Sequence, residues 1–162
     1  MLHVWLEITY YDRENKRGFI MRDSNCAKQM DRGSDPYVAN MKQVAGQNEN
    51  FRRDIWTGEH LQMTVMCIPV MGDIGVEMHD DTDQFIRVEQ GMAVVKMGKC
   101  RHQLEVQKTI YEGDAVFVPA GTWHNVVNIG RMPLKVSSIY APPNHPKSTV
   151  HRTKEEAERA HY

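Results

Sequence analysis

The residues best suited to chemistry lie in two short runs near the middle of the chain. The first run contains Glu77, His79 and Gln84, and the second contains His124. Carboxylate, imidazole and amide groups bind divalent cations when a fold brings them together. Turn-forming residues stand at intervals around them: Gly72, Gly91, Gly113, Pro119 and Gly121. Glycine and proline favour tight turns between strands, so we expect these four side chains to be carried on short strands.

The second run reads G-x5-P-x-G-x2-H-x3-N from Gly113 to Asn128, and this pattern resembles the second motif of the cupins. The first run resembles the first cupin motif, whose usual form is G-x5-H-x-H-x(3,4)-E-x6-G. Two places differ, since Glu77 stands where the first His belongs and Gln84 stands where the Glu belongs. Gly72 also lies one residue closer to Glu77 than in the usual motif. From these paired motifs the chain is identified as a member of the cupin superfamily.

Two further segments narrow the resemblance. Residues 121–125 (GTWHN) and 138–146 (SIYAPPNHP) are similar to a bacterial group of small single-domain cupins labelled mannose-6-phosphate isomerase-like. That label reflects kinship of fold more than demonstrated chemistry. The resemblance as a whole covers residues 37–150.

The resemblance implies an all-β fold, a single-domain cupin jelly roll described either as a β-barrel or as a sandwich. The residues agree, because short alternating runs punctuated by Gly or Pro continue from residue 37 onward. We therefore divide the chain into an N-terminal extension (1–36), a cupin domain (37–150) and a C-terminal tail (151–162). In the tail, Thr153 and Glu156 predict a capping box that begins a short helix. The extension is interpreted as an edge strand or as a strand exchanged between subunits.

Side chains alternate between the two faces of a strand, and this alternation indicates whether Glu77, His79 and Gln84 can lie on the same face. Glu77 and His79 are two residues apart on a predicted strand over 76–79, so their side chains point to the same face. On the next predicted strand, Arg87 and Glu89 share one face, which we expect to be solvent-exposed. That orientation sends Gln84 inward.

The resemblance implies that Glu77, His79, Gln84 and His124 are the metal ligands at one mouth of the jelly roll. This set has two imidazoles, one carboxylate and one amide, and it carries the same single negative charge as the usual cupin set. Its harder oxygen donors shift preference from zinc and copper toward manganese, iron, nickel or cobalt. The predicted cofactor is therefore a divalent transition metal: manganese, iron, nickel, cobalt or zinc.

Structural roles for the same residues stay open at this point. Glu77 can be a buried acid that accepts hydrogen bonds. Gln84 can orient a neighbouring ligand without binding the metal itself. His79 and His124 can be half-buried, hydrogen-bonded histidines.

Three functions are compatible with the motifs. The leading hypothesis is a metal-dependent, isomerase-like enzyme that acts on a small sugar or sugar-acid carbonyl substrate. The alternatives are an iron-dependent dioxygenase and a non-catalytic cupin that binds a small ligand. Proton transfer in the leading hypothesis needs a base, for which His60, Tyr140 and His145 are candidates by chemistry alone, so the catalytic residues are unknown.

Composition restricts the partners. The chain has 162 residues, a formal net charge of −1 and 25% charged residues, which gives no basic face for nucleic acid. No apolar run reaches the roughly 18 residues that span a membrane. Three widely spaced cysteines are typical of a reduced, cytoplasmic protein. We expect a small-molecule substrate or ligand, and a homodimer, because cupin monomers expose a sheet edge.

Overall fold

The computed structural model describes residues 31–160, and its regular structure is mainly antiparallel strands. The elements are α1 (Met41–Gln47), β1 (Arg52–Thr57), β2 (Gln62–Ile68), β3 (Asp83–Gln90), β4 (Met92–Gly98), β5 (Val106–Tyr111), β6 (Ala115–Val118), β7 (Trp123–Asn128), β8 (Leu134–Ala141), β9 (Val150–His151) and α2 (Lys154–Arg159). The predicted all-β class is confirmed. The edge or exchanged strand predicted within residues 1–36 falls mostly on residues 1–30, which lie outside the described residues.

The strands form two antiparallel sheets that face each other. One sheet has six strands in the order β6-β3-β8-β2-β1-β9, and the other has three in the order β5-β4-β7. Every neighbouring pair is antiparallel. Within residues 31–160 the two sheets make a sandwich rather than one closed barrel, which decides between the two descriptions of the jelly roll.

The inner faces of the sheets divide into an apolar end and a polar end. At the apolar end the packed side chains include Met66, Ile68, Ile86, Val88, Val95, Val126, Leu134 and Val136. At the other end β1, β2, β3, β7 and β8 bury polar side chains: Arg52, Asp54, Gln62, Thr64, Gln84, His124, Ser138 and Tyr140. The register of β2 against β8 and of β3 against β8 places these polar residues on the same face as the core. One end of the interior is therefore a hydrophobic core, and the other is a polar chamber.

Asn128, the last residue of the second motif, holds the loops at the apolar end. Its side-chain nitrogen donates to the carbonyl oxygens of Ile68, Pro69 and Met132. Its side-chain oxygen accepts from the backbone N–H of Gly130 at 2.9 Å. The motif asparagine therefore has a structural role far from the polar chamber.

Helix α1 interrupts the predicted run of strands, so the expectation of continuous β-structure from residue 37 was wrong there. Asn40 is its N-cap, and the Asn40 side chain accepts from the backbone N–H of Gln43 at 3.1 Å. The helix packs its apolar side on the outer face of the six-stranded sheet. The residues in this second apolar cluster are Met41, Val44, Ala45, Ile55, Met63 and Val65.

The outer face under α1 is consequently shielded from water. Glu89 points away from the core, as predicted, but it is buried rather than exposed to solvent. Its carboxylate accepts from the Ser137 hydroxyl at 2.6 Å and pairs with Arg87 at 2.6 Å. Lys135 is also buried on this side and donates to the backbone oxygen of Asn48. The prediction that Glu89 faces solvent was wrong because the helix above it was missed.

The C-terminal helix is confirmed as α2, with Thr153 as its N-cap. The Thr153 hydroxyl accepts from the backbone N–H of Glu156 at 3.3 Å. The Glu156 carboxylate accepts from the backbone N–H of Arg152 at 2.6 Å, so only the threonine half of the predicted capping box has its usual partner. Both helices are short, and no helix within residues 31–160 has the length and apolar character needed to cross a membrane.

Candidate metal centre

A backbone bridge brings Glu77 and His124 together. The Glu77 N–H donates to the His124 carbonyl at 3.0 Å, and the His124 N–H donates to the Glu77 carbonyl at 2.9 Å. Residues opposed in this way have adjacent side chains. The segment 76–79 was predicted to be a strand, but Glu77 forms an isolated bridge to β7 rather than part of a named strand. The bridge still directs the Glu77 side chain toward that of His124, as the predicted strand would have done.

His79 is positioned by the turn between β6 and β7. The backbone N–H of Gly121 donates to the His79 carbonyl at 2.7 Å. Gly121 has a φ of 75°, a conformation that other residues rarely adopt. The glycine of the second motif therefore ties the first motif to the turn that leads into His124.

The side chains of Glu77, His79 and His124 form a compact cluster. The Glu77 Oε1 atom is 3.4 Å from His124 Nε2 and 3.7 Å from His79 Nε2. The three potential ligand atoms all lie within 4.8 Å of one another. Two donors about 2.1 Å from a shared ion are about 3.0 Å apart at a right angle and about 3.4 Å apart at the tetrahedral angle. The observed separations are close to those required for coordination of one ion.

The tautomer of His124 is set by a backbone contact. Its Nδ1 atom lies 3.0 Å from the Thr122 carbonyl oxygen. Because a carbonyl can only accept, Nδ1 carries the proton, and in the neutral ring Nε2 then has a lone pair. That lone pair faces the Glu77 carboxylate at 3.4 Å, so the contact is favourable when a positive charge, either a metal ion or a proton on Nε2, lies between the two groups.

Gln84 is oriented by Ser138 on the neighbouring strand β8. The Ser138 hydroxyl donates to the Phe85 carbonyl at 3.2 Å and accepts from Gln84 Nε2 at 3.0 Å. Gln84 Oε1 is therefore turned away from this contact. Gln84 is paired with Tyr140 across β3 and β8, and the Tyr140 ring centroid is 5.5 Å from that of His79. The amide thus belongs to the same polar chamber as the three-residue cluster.

One buried polar atom from each predicted ligand lacks a hydrogen bond within the part of the chain that the structure describes. These atoms are Glu77 Oε1, His79 Nε2, Gln84 Oε1 and His124 Nε2. An unsatisfied buried polar group costs on the order of 1–3 kcal/mol, so native proteins seldom keep one without a partner. These atoms are also the ones that a cation would use, and the residues present fit a metal ion.

The electrostatic environment keeps Glu77 ionised. Burial by itself would raise the pKa of the Glu77 carboxyl. The contacts with His124 and His79, together with the charge of Arg52, outweigh burial and hold that pKa well below its usual range. Arg52 Nη2 is 3.5 Å from the second carboxylate oxygen, Oε2. One oxygen of Glu77 therefore faces a fixed cation while the other faces the two imidazoles.

The three candidate bases occupy different environments. His60 lies in the β1–β2 connection with 87% of its side chain exposed, so it is not part of the site. Tyr140 is completely buried, and its ring contacts both His79 and His145. Burial raises the pKa of the Tyr140 phenol to about 12 and lowers the pKa of the His145 imidazole to about 3. At neutral pH both groups beside the cluster are therefore uncharged.

Sequence reasoning missed Arg52, Thr64 and Ser138, which also line the polar chamber. Thr64 lies in an alternating run of the sequence, but Thr is common on strands for packing reasons alone. Arg52 had no detectable signal because strand β1 was not predicted.

Comparisons with known proteins agree with this fold. Residues 64–140, a range that contains all four predicted ligands, match the family model described as a cupin domain. The uncharacterized protein YrkC of Bacillus subtilis (strain 168) is 52% identical over 127 residues, covering 78% of this chain and 68% of that protein. The uncharacterized protein L612 of Acanthamoeba polyphaga mimivirus is 36% identical over 115 residues, covering 70% of each. The crystal structure of BH2720 from Bacillus halodurans is 50% identical with a TM-score of 0.80, covering 81% of this chain and 99% of that one.

Asp54, at the wall of the polar chamber, should make stability depend on pH. Burial raises the pKa of its carboxyl to about 7, although the Thr149 backbone N–H donates to it at 2.8 Å. The folded state therefore binds a proton more tightly than the unfolded chain does. Stability should fall as pH rises from about 4 to about 7, by up to about 4 kcal/mol, and should change little from this group outside that window.

Chemical denaturation of the wild type and of Asp54→Asn at pH 5 and pH 8 would measure this effect. The variant has no carboxyl to ionise at this position. Its free energy of unfolding, relative to that of the wild type, should therefore be higher at pH 8 than at pH 5. Parallel pH profiles for the two proteins would show that Asp54 does not titrate in this range.

Proposed function

The chain belongs to the cupin family, and from that membership we propose that it is a metal-binding, isomerase-like enzyme. In this proposal Glu77, His79, Gln84 and His124 hold one divalent transition-metal ion. The substrate is a small sugar or sugar acid with a carbonyl group.

The observation that supports metal binding is the set of four unpartnered atoms, one from each predicted ligand. Three of them are close enough to contact a common ion. The tautomer of His124 and the ionised state of Glu77 are also those that coordination requires. One metal ion would give these four atoms a common partner.

The donor set favours manganese, iron, nickel or cobalt, with zinc also accommodated. A divalent ion bound there supplies a Lewis acid that polarises a carbonyl group. The chain supplies the surroundings. His124 and Tyr140 are fully buried, and a chamber that excludes water strengthens electrostatic interactions with the reacting group.

Tyr140 and His145 are the two candidate proton-transfer groups that lie beside the cluster. Their rings contact at a centroid distance of 5.0 Å, and Tyr140 also contacts His79. The neutral phenol of Tyr140 can donate a proton to a substrate oxygen. The imidazole of His145 is a poor base, since burial lowers its pKa to about 3, which argues against it as the group that removes a proton from the substrate carbon.

The outer face of the six-stranded sheet supports the proposed homodimer. Strand β6 is an edge strand, and its Phe117 is 73% exposed. The Phe117 ring stacks edge-on against Phe85 at 5.2 Å. An apolar groove of about 280 Å³ lies here, lined by these rings and by Val118, Pro119 and Ile139. A second copy of the chain would cover this surface.

Metal content provides the first test. Elemental analysis of purified wild-type protein should find about one divalent transition-metal ion per chain. His124→Ala and Glu77→Gln should lose at least about ten-fold of that content, because each removes a ligand. His60→Ala is the matched control, since it removes an exposed histidine, and it should retain the metal. Equal metal content in all four proteins would disprove the ligand assignment.

Turnover provides the second test. Conversion of a ketose or a hexuronate should disappear on treatment with a chelator and return when manganese, nickel or cobalt is added. Oxygen consumption that depends on ferrous iron would instead identify a dioxygenase. A metal-loaded protein that binds these compounds and returns them unchanged would be a binding module.

Light scattering tests the dimer. The wild type should have twice the mass of the chain, and Phe117→Asp should be monomeric because it places a charge in the apolar groove. Tyr111→Asp changes an exposed aromatic residue on the other sheet and should leave the dimer intact. A monomeric wild type would contradict the proposal.

A further inference from the structure

A cysteine and a lysine are in contact on the outer face of the six-stranded sheet. Cys67 on β2 is directly opposite Lys135 on β8. Met66 and Ile68, the residues on either side of Cys67, are both in the core, so the Cys67 side chain points outward. The Lys135 Nζ atom lies 3.1 Å from the Cys67 Sγ atom. The pair is therefore on the opposite face of the sheet from the candidate metal centre.

Lys135 is a buried charge that no carboxylate balances. The residue is only 7% exposed, and its ammonium group donates to the backbone oxygen of Asn48 and to the sulfur of Cys67. Among residues 31–160, no carboxylate lies within ion-pair distance of Lys135 Nζ. The buried acid on the same face, Glu89, is paired with Arg87 at 2.6 Å instead.

This uncompensated charge makes the thiol more than an isolated cysteine. A buried ammonium group is costly unless a negative charge is next to it. Of the two groups that accept from Lys135, the Asn48 carbonyl is neutral, whereas the sulfur of Cys67 can become a thiolate. Lysine beside cysteine favours the thiolate, which is the nucleophilic form.

Cys67 is also accessible to a small oxidant. It is half-buried and forms no disulfide. A thiolate reacts with a peroxide to give a sulfenic acid, and a sulfenic acid condenses with a nearby nitrogen to form a sulfenamide. The nitrogen of Lys135 is already at the sulfur, and the flexible four-carbon stem of lysine allows the remaining approach.

We propose that Cys67 and Lys135 are a peroxide-reactive pair that closes to a covalent sulfur–nitrogen cross-link between β2 and β8. The thiolate attacks hydrogen peroxide, the O–O bond breaks, and the products are a sulfenic acid and hydroxide. The hydroxide takes one proton from the Lys135 ammonium and becomes water. The free amine then attacks the sulfur, an S–N bond forms, and the sulfenic oxygen leaves as a second water with one proton from the nitrogen. The sulfur loses two electrons, and the peroxide gains them.

The cross-link is reversible and removes the buried charge. Its nitrogen is neutral, so the ammonium group no longer lies uncompensated under α1. A thiol reductant attacks the sulfur, as it does in a disulfide, and restores the amine and the cysteine. The pair therefore alternates between an open reduced form and a closed oxidised form.

Peptide mapping of the wild-type protein tests the cross-link. The protein is treated with hydrogen peroxide in the presence of a chelator, so that metal-catalysed oxidation does not contribute, and is then digested with trypsin. Peptides 54–87 and 132–147 should be found joined, with a mass about 2 Da below their sum because two hydrogens are lost. Cleavage after Lys135 should be blocked, and dithiothreitol should separate the two peptides.

Two variants and one internal control establish that the contact is responsible. Cys67→Ser and Lys135→Met each remove one reacting atom, and both should lose the cross-link completely. In Lys135→Met, the oxidised Cys67 should instead be trapped as a sulfenic acid by dimedone. Cys100 is exposed, and its sulfur has no lysine contact within the described part of the chain, so it should form no cross-link to lysine.

The wild-type map decides the proposal even if a variant does not fold. Sulfinic or sulfonic acid at Cys67 without the joined peptides would overturn it, because the amine would then not capture the sulfenic acid. Unmodified Cys67 under conditions that oxidise Cys100 would overturn it as well. Cross-links from Cys100 to lysines in equal yield would show unspecific chemistry rather than a built pair. None of these outcomes depends on the metal centre, so they leave the proposed function untouched.

Discussion

The site depends on the two backbone hydrogen bonds between Glu77 and His124. They join the connection between β2 and β3 to strand β7 of the opposite sheet, with N···O distances of 3.0 and 2.9 Å. Because both hydrogen bonds join main-chain groups, they form whichever side chains occupy positions 77 and 124. It places a carboxylate next to an imidazole, and the Thr122 carbonyl then fixes the imidazole tautomer. An acid can therefore occupy the position where most cupins have a histidine without loss of the local geometry.

The division of the interior follows from the same strands. Strands β2, β3 and β8 each place apolar residues at one end of the inner face and polar residues at the other. The apolar end provides the burial that stabilises the sandwich. The polar end has buried groups without partners, an unfavourable arrangement for stability alone. Departures of this kind from optimal stability are expected at functional sites.

Helix α1 covers part of the outer face of the six-stranded sheet. Because this helix was not predicted, the environment predicted for Glu89 was wrong as well. Alternation predicted correctly that Glu89 points away from the core, but alternation cannot tell solvent from a helix lying above the sheet. Helix α1 has only seven residues, too few to show a clear helical period. Its Asn40 cap was the available signal, although asparagine is equally common in turns. Missing α1 therefore left Glu89 assigned to the wrong environment while its direction was right.

The sequence by itself determined the family, the antiparallel strands and the inward direction of Glu77, His79 and Gln84, because turn chemistry and side-chain alternation are local properties of the backbone. It did not reveal that Ser138 orients Gln84, nor that Arg52, Tyr140 and His145 surround the cluster. Those relations join residues far apart in the chain, and they depend on which strands pair and in which register. Tertiary packing alone decides that pairing, since many registers satisfy the same local pattern and only one buries the core while closing the Glu77–His124 bridge.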